Sequence, residues 1–429
     1  MLKSIKNIIL AKNPFLLFTP FLLFYIVLAI VFHTNSFKGD ETRYLIYADY
    51  FITGNAIPDF DYFGNGPGYS IILIPFVALH LPLIYINILN AFLYYFSIVL
   101  LFKIIVRITS FRKAFVSSFF LACYINLYEW QILIAPELFC LFLICLLVFC
   151  LVKSFENINF TKKHIFLSGF IFGCIALTKP IFGYVLICMF IGNGLLWVFD
   201  RKVSNYKKGL IILLVAFVTT TPYLIYTYRI TNKVFYWSSY GGNNLYWMST
   251  PFNGEYGDWL RDLKPYSMPT TEKKRISSYE DSIKLHHQKD YEIINKYSGM
   301  QQDDVFKRIA INNIKNHPTK FLKNCVYNVG RIFFNYPYSY MLQSPTTLMR
   351  LPFNGVVSVL ILFCLAPTFK NWRKINFSIR FMLFLTFFYL GGSILGSAET
   401  RMFSVIVPIL LTWIAFIIHK TIKIKDWAN

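Results

Sequence analysis

Residues 134–152 read IAPELFCLFLICLLVFCLV, an apolar run with one charged residue, Glu137, near its start. A helix of about 20 such residues crosses a hydrocarbon core of roughly 30 Å, at 1.5 Å of rise per residue. A barrel strand would instead alternate polar and apolar residues over about 10 positions, which this run does not do. The stretch therefore predicts a membrane-spanning helix.

Similar runs recur along the whole chain. Hydrophobic residues make up 56% of the 429 residues and charged residues 15%, whereas a soluble domain carries about a quarter charged residues. The sequence therefore predicts an all-α polytopic membrane protein with about ten transmembrane helices. We place them at 14–33, 84–106, 113–130, 134–152, 164–178, 181–199, 209–228, 352–369, 378–396 and 402–419.

One further apolar stretch, 69–82, is too short to be a span. It contains Pro75 and ends at Pro82, and its length suits a juxtamembrane helix at the membrane surface. If it crossed the bilayer, the basic segments that follow it would change sides. We therefore expect a juxtamembrane helix here.

The basic residues are distributed unevenly between the two sides of the predicted membrane. Six short segments, five of them between or after spans and one at the N-terminus, hold 21 of the 42 Lys and Arg residues and three acids. Cytoplasmic turns show this bias, so both termini are expected inside and the first span is expected to remain uncleaved. Such patches suit anionic lipid headgroups, and the net charge of +21 does not indicate nucleic-acid binding.

The spans divide the chain into three parts. Residues 1–229 form an N-terminal transmembrane module with a first outer loop at 34–83. Residues 230–350 form an outer-face region of loop and amphipathic helices, and residues 351–429 hold the last spans and a short tail. Long loops cross the membrane regardless of charge, so the sixteen bases of the outer region agree with this topology.

Ionisable residues beside the spans gather at the predicted outer ends. Such residues are costly near lipid and indicate a functional site. A transporter usually places them near the bilayer midplane, whereas an enzyme that acts on a lipid-linked headgroup needs them at the interface. Simpler explanations remain for single residues: Lys179 could extend to the headgroups, and Glu399 and Arg401 could form a local surface pair.

The cysteines do not indicate a metal site. Cys140, Cys145 and Cys150 recur every five residues inside a predicted span, with no histidine nearby. That spacing does not match a zinc site, and cysteines inside helices usually pack as small hydrophobic residues. No metal ligands are predicted.

The outer loop after the first span carries motifs of a known family. Residues 39–44 read GDETRY and residues 66–69 read GPGY, which resembles the first outer loop of GT-C glycosyltransferases. Within that fold, the sequence is most similar to the family 39-like branch, which contains protein O-mannosyltransferases and aminoarabinose transferases. It resembles a bacterial member of that branch. The GT-C fold that this resemblance implies is all-helical and polytopic.

Further segments match the family in the same order and extend the resemblance to about residues 1–420. They are PEL at 136–138, GCIALTKP at 173–180, TPY at 221–223, Arg229, GGNNL at 241–245, and ETRM at 399–402. Met402 and Tyr223 stand where the family usually has Tyr and Trp. These two differences weaken the assignment to a subfamily more than the assignment to the fold.

The resemblance implies an inverting transfer of a sugar from a polyprenyl-phosphate donor to an acceptor hydroxyl at the outer face of the bacterial inner membrane. A carboxylate within hydrogen-bond reach can deprotonate the acceptor, and arginine binds phosphate through two parallel hydrogen bonds. By position, Asp40 is the expected general base, assisted by Glu41. Lys179, Arg401 and Arg229 are expected to bind the donor phosphate, and Tyr44, Tyr69, Glu137 and Glu399 are further site candidates.

The expected partners are the polyprenyl-phosphate sugar, membrane lipids and a glycan, lipid or protein acceptor. The scheme requires no cofactor, but some family members bind divalent ions, so a divalent cation stays open. Two alternatives also stay open: a lipid-linked glycan ligase or polymerase of another class, and a lipid-linked oligosaccharide transporter. The transporter predicts polar residues at the midplane, unlike the pattern seen here.

Overall fold

The computed structural model describes most of the chain. The described residues are 13–34, 36–37, 40–54, 64–156, 161–199, 204–259, 285–339, 345–396 and 398–421. All regular structure in these ranges is helical, which confirms the predicted all-α fold class.

The first half of the chain contains nine described helices. They are α1 (Pro14–Val31), α2 (Glu41–Thr53), α3 (Gly68–Ala78), α4 (Ile84–Ile108), α5 (Phe111–Ala122), α6 (Glu137–Glu156), α7 (Thr161–Thr178), α8 (Ile181–Phe199) and α9 (Ser204–Thr231). The second half continues with α10 (Gly241–Met248), α11 (285–294), α12 (Gly299–Asn316), α13 (Pro318–Phe334), α14 (Pro345–Lys370), α15 (Phe377–Leu395) and α16 (Thr400–Thr421).

Within the described ranges, eight of these helices are long and apolar enough to cross a membrane: α1, α4, α6, α8, α9, α14, α15 and α16. The apolar helix α3 has 11 residues, so the segment predicted as a juxtamembrane helix is indeed too short to span. In an apolar 18-residue window of each helix, buried residues make up 83% in α16 but only 17% in α14, so α16 lies at the centre of the bundle and α14 at its periphery.

The other two predicted spans differ from the prediction in different ways. At 113–130, α5 ends at Ala122 and two short 3-10 turns follow, because Asn126 and its polar neighbours interrupt the apolar run. The Asn126 amide donates to Asn354 Oδ1 of α14 over 2.7 Å, which satisfies a buried polar group. At 164–178 the 18-residue helix α7 packs between α6 and α9, but its basic first turn leaves it less apolar than the eight spans.

The outer region is attached to the bundle through α13. One face of this helix carries buried polar residues, Asn324, Asn328 and Arg331, at helical spacing, while Leu322 and Val326 on another face are exposed. Asn328 Nδ2 donates to the Ile394 carbonyl at the end of α15 over 2.7 Å. The amphipathic helix therefore holds its polar face against protein and turns apolar residues outward.

A second attachment depends on a glycine in α8. The Trp237 side chain is fully buried, and an added Cβ at Gly183 would lie 2.2 Å from Trp237 Cδ2. Tyr223 of α9 donates to the Trp237 carbonyl over 3.2 Å. The chain that leaves α9 is thus fixed against the start of α8 by a close approach that only glycine permits.

We predict that Gly183→Ala lowers the thermal stability of the protein in detergent. The added methyl group forces the rigid Trp237 ring to move, and overpacking of this kind costs about 1–3 kcal/mol. The control is Gly391→Ala in α15, where an added Cβ meets nothing within 4 Å. That variant should match wild type or gain slightly from helix propensity. Equal melting temperatures for the two variants would contradict the packing at Trp237.

Candidate active site

Four parts of the chain meet at one end of the bundle. Asp40 directly precedes α2, Glu137 opens α6, Lys179 joins α7 to α8, and Arg401 lies in the first turn of α16. All four belong to the residues that the sequence identifies as site candidates. We call these four residues the charge cluster.

The most buried contact in the charge cluster is an ion pair. Lys179 Nζ donates to Glu137 Oε1 over 3.0 Å, and the Glu137 side chain is only 1% exposed. Glu137 Oε2 is also buried and has no hydrogen-bond partner within the described ranges. A buried carboxylate oxygen usually accepts a hydrogen bond, so this atom can accept one from a polar ligand.

Arg401 connects the ion pair to the first outer loop. Its Nη1 lies 3.9 Å from both Glu137 Oε1 and Asp40 Oδ2, and its Nε lies 2.7 Å from Glu399 Oε2. A distance of 3.9 Å is longer than a hydrogen bond. The outer part of the guanidinium is therefore close to two carboxylates without being fully engaged by them, so an anion can bind there.

Asp40 is the accessible carboxylate of the cluster. Its side chain is 37% exposed, and Arg43 Nη1 donates to Oδ1 over 3.1 Å. The Arg43 guanidinium also lies 5.0 Å from the centre of the Tyr240 ring, a cation–π contact with the outer region. Arg43 therefore contacts both Asp40 and the outer region.

Glu41 has a different environment from its neighbour. The residue is buried, and its Oε1 accepts a hydrogen bond of 2.7 Å from the backbone amide of Ile134. This contact fixes α2 to the chain that enters α6. The two adjacent acids therefore differ: Asp40 faces the open side of the cluster, and Glu41 holds the loop in place.

Tyr44 and Tyr69 form the apolar wall behind the carboxylates. Both are buried, and their rings meet edge to face with centres 5.1 Å apart. The hydroxyl of Tyr389 in α15 is buried without a hydrogen-bond partner within the described ranges, as is Glu137 Oε2.

The glycines of the GPGY motif allow α3 to approach Lys179. An added Cβ at Gly68 would lie 2.6 Å from Thr178 Oγ1, and one at Gly66 would lie 2.4 Å from the Leu177 carbonyl oxygen. Gly66 also has a φ of +74°, which glycine adopts without steric cost. The motif therefore brings the first outer loop against the α7–α8 turn that carries Lys179.

The structure does not bring Arg229 into the charge cluster. The residue is exposed in the last turn of α9, and within the described ranges no ion pair or hydrogen bond joins it to Asp40 or Glu137. Glu129, between α5 and α6, forms an ion pair with Arg350, which is outside the charge cluster.

Sequence reasoning missed a buried polar network in the outer region. Glu255 Oε1 lies 2.8 Å from His286 Nδ1, and Glu255 Oε2 lies 3.0 Å from His287 Nε2. Burial alone would raise the pKa of Glu255, but hydrogen bonds from His287 and Thr250 lower it to about 2. Within the described ranges, no group of three or more His, Cys, Asp or Glu side chains is arranged to hold a metal.

A second missed acid, Asp303, supports the GGNNL motif. Its Oδ1 accepts hydrogen bonds from the backbone amides of Gly242 and Asn243, over 2.7 and 3.1 Å, at the start of α10. An added Cβ at Gly242 would lie 2.0 Å from the Asp303 carbonyl oxygen. Burial raises the pKa of Asp303 to about 6 despite these bonds. Gly242 of the motif is thus required because the backbone at Asp303 lies directly against it, a contact that residue spacing in the sequence does not reveal.

Part of the chain is similar to a known protein family. Residues 70–226 match the family described as dolichyl-phosphate-mannose-protein mannosyltransferase. The matched part runs from α3 to α9 and includes Glu137 and Lys179. It confirms the predicted resemblance to the protein O-mannosyltransferase branch and indicates a glycosyltransferase of the GT-C class.

Among solved structures, the chain is similar to ArnT from Cupriavidus metallidurans. The structure bound to undecaprenyl phosphate has a TM-score of 0.41 and 11% identity, and the alignment covers 94% of this chain and 77% of that one. The apo structure has a TM-score of 0.38 and 10% identity at the same coverage. A search of curated proteins gave no significant match.

The raised pKa of Asp303 predicts a pH dependence of stability. Its ordinary pKa of 3.8 applies to the unfolded chain, so between pH 3.8 and about 6 the folded protein binds more protons. Stability therefore falls as pH rises through this window, by roughly 1 kcal/mol between pH 5 and 7 for this group. We expect Asp303→Asn to lose that part of the pH dependence when melting is measured at both pH values.

An exposed acid of α11 provides the control. Glu292 accepts a hydrogen bond from Gln288 and does not act on Asp303, so Glu292→Gln should keep the wild-type difference between pH 5 and 7. Other titrating groups are common to all three proteins and cancel in the comparison. If Asp303→Asn melts with the same pH dependence as wild type, the assignment to Asp303 is wrong.

Proposed function

We propose that this protein transfers a sugar from a polyprenyl-phosphate donor to an acceptor hydroxyl at the outer face of a bacterial inner membrane. The observation that carries the proposal is the charge cluster, in which Asp40, Glu137, Lys179 and Arg401 are linked by contacts of 3.0 to 3.9 Å. The description of the matched family names dolichyl-phosphate-mannose as the sugar donor, and dolichyl phosphate is a polyprenyl-type lipid phosphate.

The donor phosphate is proposed to bind between Lys179 and Arg401. Both cations approach the same carboxylate oxygen, Glu137 Oε1, over 3.0 and 3.9 Å. A phosphate beside them can accept hydrogen bonds from an ammonium and a guanidinium group together. As the bond between the sugar and the phosphate breaks, negative charge grows on the phosphate, and two fixed cations stabilise it.

Asp40 is proposed to act as the general base. The acceptor oxygen attacks the anomeric carbon from the side opposite the phosphate, and its proton passes to the Asp40 carboxylate. The new bond joins the acceptor oxygen to that carbon, the carbon–oxygen bond to the phosphate breaks, and the lipid phosphate leaves with inverted configuration at the sugar. Asp40 suits this role because it is about one-third exposed, whereas Glu41 is buried and engaged with Ile134.

The remaining candidates are proposed to position these groups. Glu137 holds Lys179 and presents Oε2 to a sugar hydroxyl, while Glu399 orients the Arg401 guanidinium. Tyr44 and Tyr69 shape the wall of the site. Arg229 receives no direct role in this scheme because it lies apart from the cluster.

The proposed orientation follows from the two ends of the bundle. The charge cluster lies at the end where α6, α8 and α16 begin, and the basic turns lie at the other end, for example at Lys103, Arg107 and Lys153. The positive-inside bias then puts the basic end, with both termini, in the cytoplasm.

The outer region, residues 230–350, is proposed to select the acceptor. Its Ser238 hydroxyl donates to the Gly64 carbonyl of the first outer loop over 3.1 Å, and Tyr240 contacts Arg43 beside Asp40. We expect that replacing residues 241–259 with the corresponding segment of a related enzyme changes the acceptor preference. An unchanged acceptor preference would contradict this role.

The proposed base is tested with Asp40→Asn. We expect transfer from radiolabelled undecaprenyl-phosphate sugars by the purified protein to fall by about 10²–10⁴-fold, the usual contribution of a general base. Binding of the donor lipid should persist, since Lys179 and Arg401 remain. The matched control is Asp49→Asn, an exposed acid on the same helix, which should be as active as wild type.

Two outcomes would contradict parts of this proposal. Full activity of Asp40→Asn would mean that another group accepts the proton. If the wild type consumes none of a panel of donors, yet moves lipid-linked glycan across a liposome membrane, the protein is a transporter and the transferase proposal fails.

A further inference from the structure

A cavity lies at the end of the bundle opposite the charge cluster. It is bounded by the second half of α8, the start of α9 and the first turns of α15, and it encloses about 570 Å³ including its mouth. Aromatic rings of α15, from Phe381, Phe384 and Phe388, form its apolar wall, and Gly192 of α8 faces them.

One charged side chain, Arg380, lines this otherwise apolar space. Its Nε is buried and has no hydrogen-bond partner within the described ranges, and the guanidinium lies 5.4 Å from the centre of the Phe377 ring. The other polar lining group, Asn193, already donates to the Tyr206 carbonyl over 2.8 Å. An unsatisfied guanidinium N–H beside apolar walls favours an anion joined to an apolar chain.

We propose that the cavity binds an anionic phospholipid from the leaflet opposite the charge cluster. The phosphate contacts Arg380, and one acyl chain lies along Phe381, Phe384 and Phe388. Trp372 and Tyr206 also line the cavity, and aromatic side chains at a helix end mark the level of the headgroups. The exposed Arg373 and Lys374 on the same turn attract an anionic headgroup to it.

The position of the cavity distinguishes this lipid from the proposed donor. Arg380 lies in the first turn of α15, and the other end of that helix, Leu395, precedes Arg401 by six positions. Fifteen residues of helix separate Arg380 from Leu395, a rise of about 22 Å. A donor phosphate on Arg380 could not place its sugar at Asp40, so the site serves a different lipid.

The proposal is tested by native mass spectrometry on protein exchanged into equal amounts of phosphatidylglycerol and phosphatidylcholine. We expect the wild type to retain one phosphatidylglycerol molecule. Arg380→Gln should reduce this retention at least fivefold. The control Arg112→Gln, an exposed arginine in another basic turn at the same end of the bundle and outside the cavity lining, should retain phosphatidylglycerol as the wild type does.

A second variant tests the acyl-chain contact with Arg380 intact. An added Cβ at Gly192 would lie 4.0 Å from Phe388 Cζ, so Gly192→Leu extends a side chain into the cavity without a forced clash at its base. It should also lose the retained lipid. If both variants keep phosphatidylglycerol, if phosphatidylcholine is retained equally, or if undecaprenyl phosphate displaces the bound lipid, the proposal is wrong.

Discussion

The arrangement of the site depends on one buried ion pair, between Glu137 and Lys179. A carboxylate that is 1% exposed at the edge of a membrane bundle is stable only with a counter-charge, and loss of one partner of such a pair typically costs about 3–5 kcal/mol. The pair fixes the start of α6 to the α7–α8 turn. Arg401 approaches the same oxygen and adds the start of α16. Three helices are thereby held together at one point.

This constraint divides the charged groups into two kinds. Glu137 and Glu41 are buried, and Lys179 is partly buried in its ion pair, so these three residues define the geometry. Asp40 and Arg401 are about one-third exposed and lie on the open side of the cluster. A sugar transfer of the proposed type needs this combination. Its fixed cations must already be in place when charge develops on the phosphate, and its base must be reachable by an acceptor from outside.

The spans and several site residues could be predicted from the sequence, because both depend on short stretches of the chain. Apolar runs predict membrane-spanning helices, and acids or bases at their ends predict a site at one membrane face. That prediction included Glu137 and Lys179. Contacts between distant residues could not be predicted. Asn126 interrupts a predicted span and bonds to Asn354, 228 positions later, and His287 reaches Glu255 across 32 positions. Arg229 fits the family motif, but its helix carries it away from the cluster.

The most direct test of the central claim is a cryo-electron microscopy structure of the protein in nanodiscs with undecaprenyl phosphate. The account predicts phosphate density within hydrogen-bond distance of both Lys179 Nζ and the Arg401 guanidinium, with Asp40 facing the open side. The lipid chain should leave the site between helices toward the bilayer. Phosphate density bound elsewhere, with the Glu137–Lys179 pair closed and Arg401 unoccupied, would contradict the account.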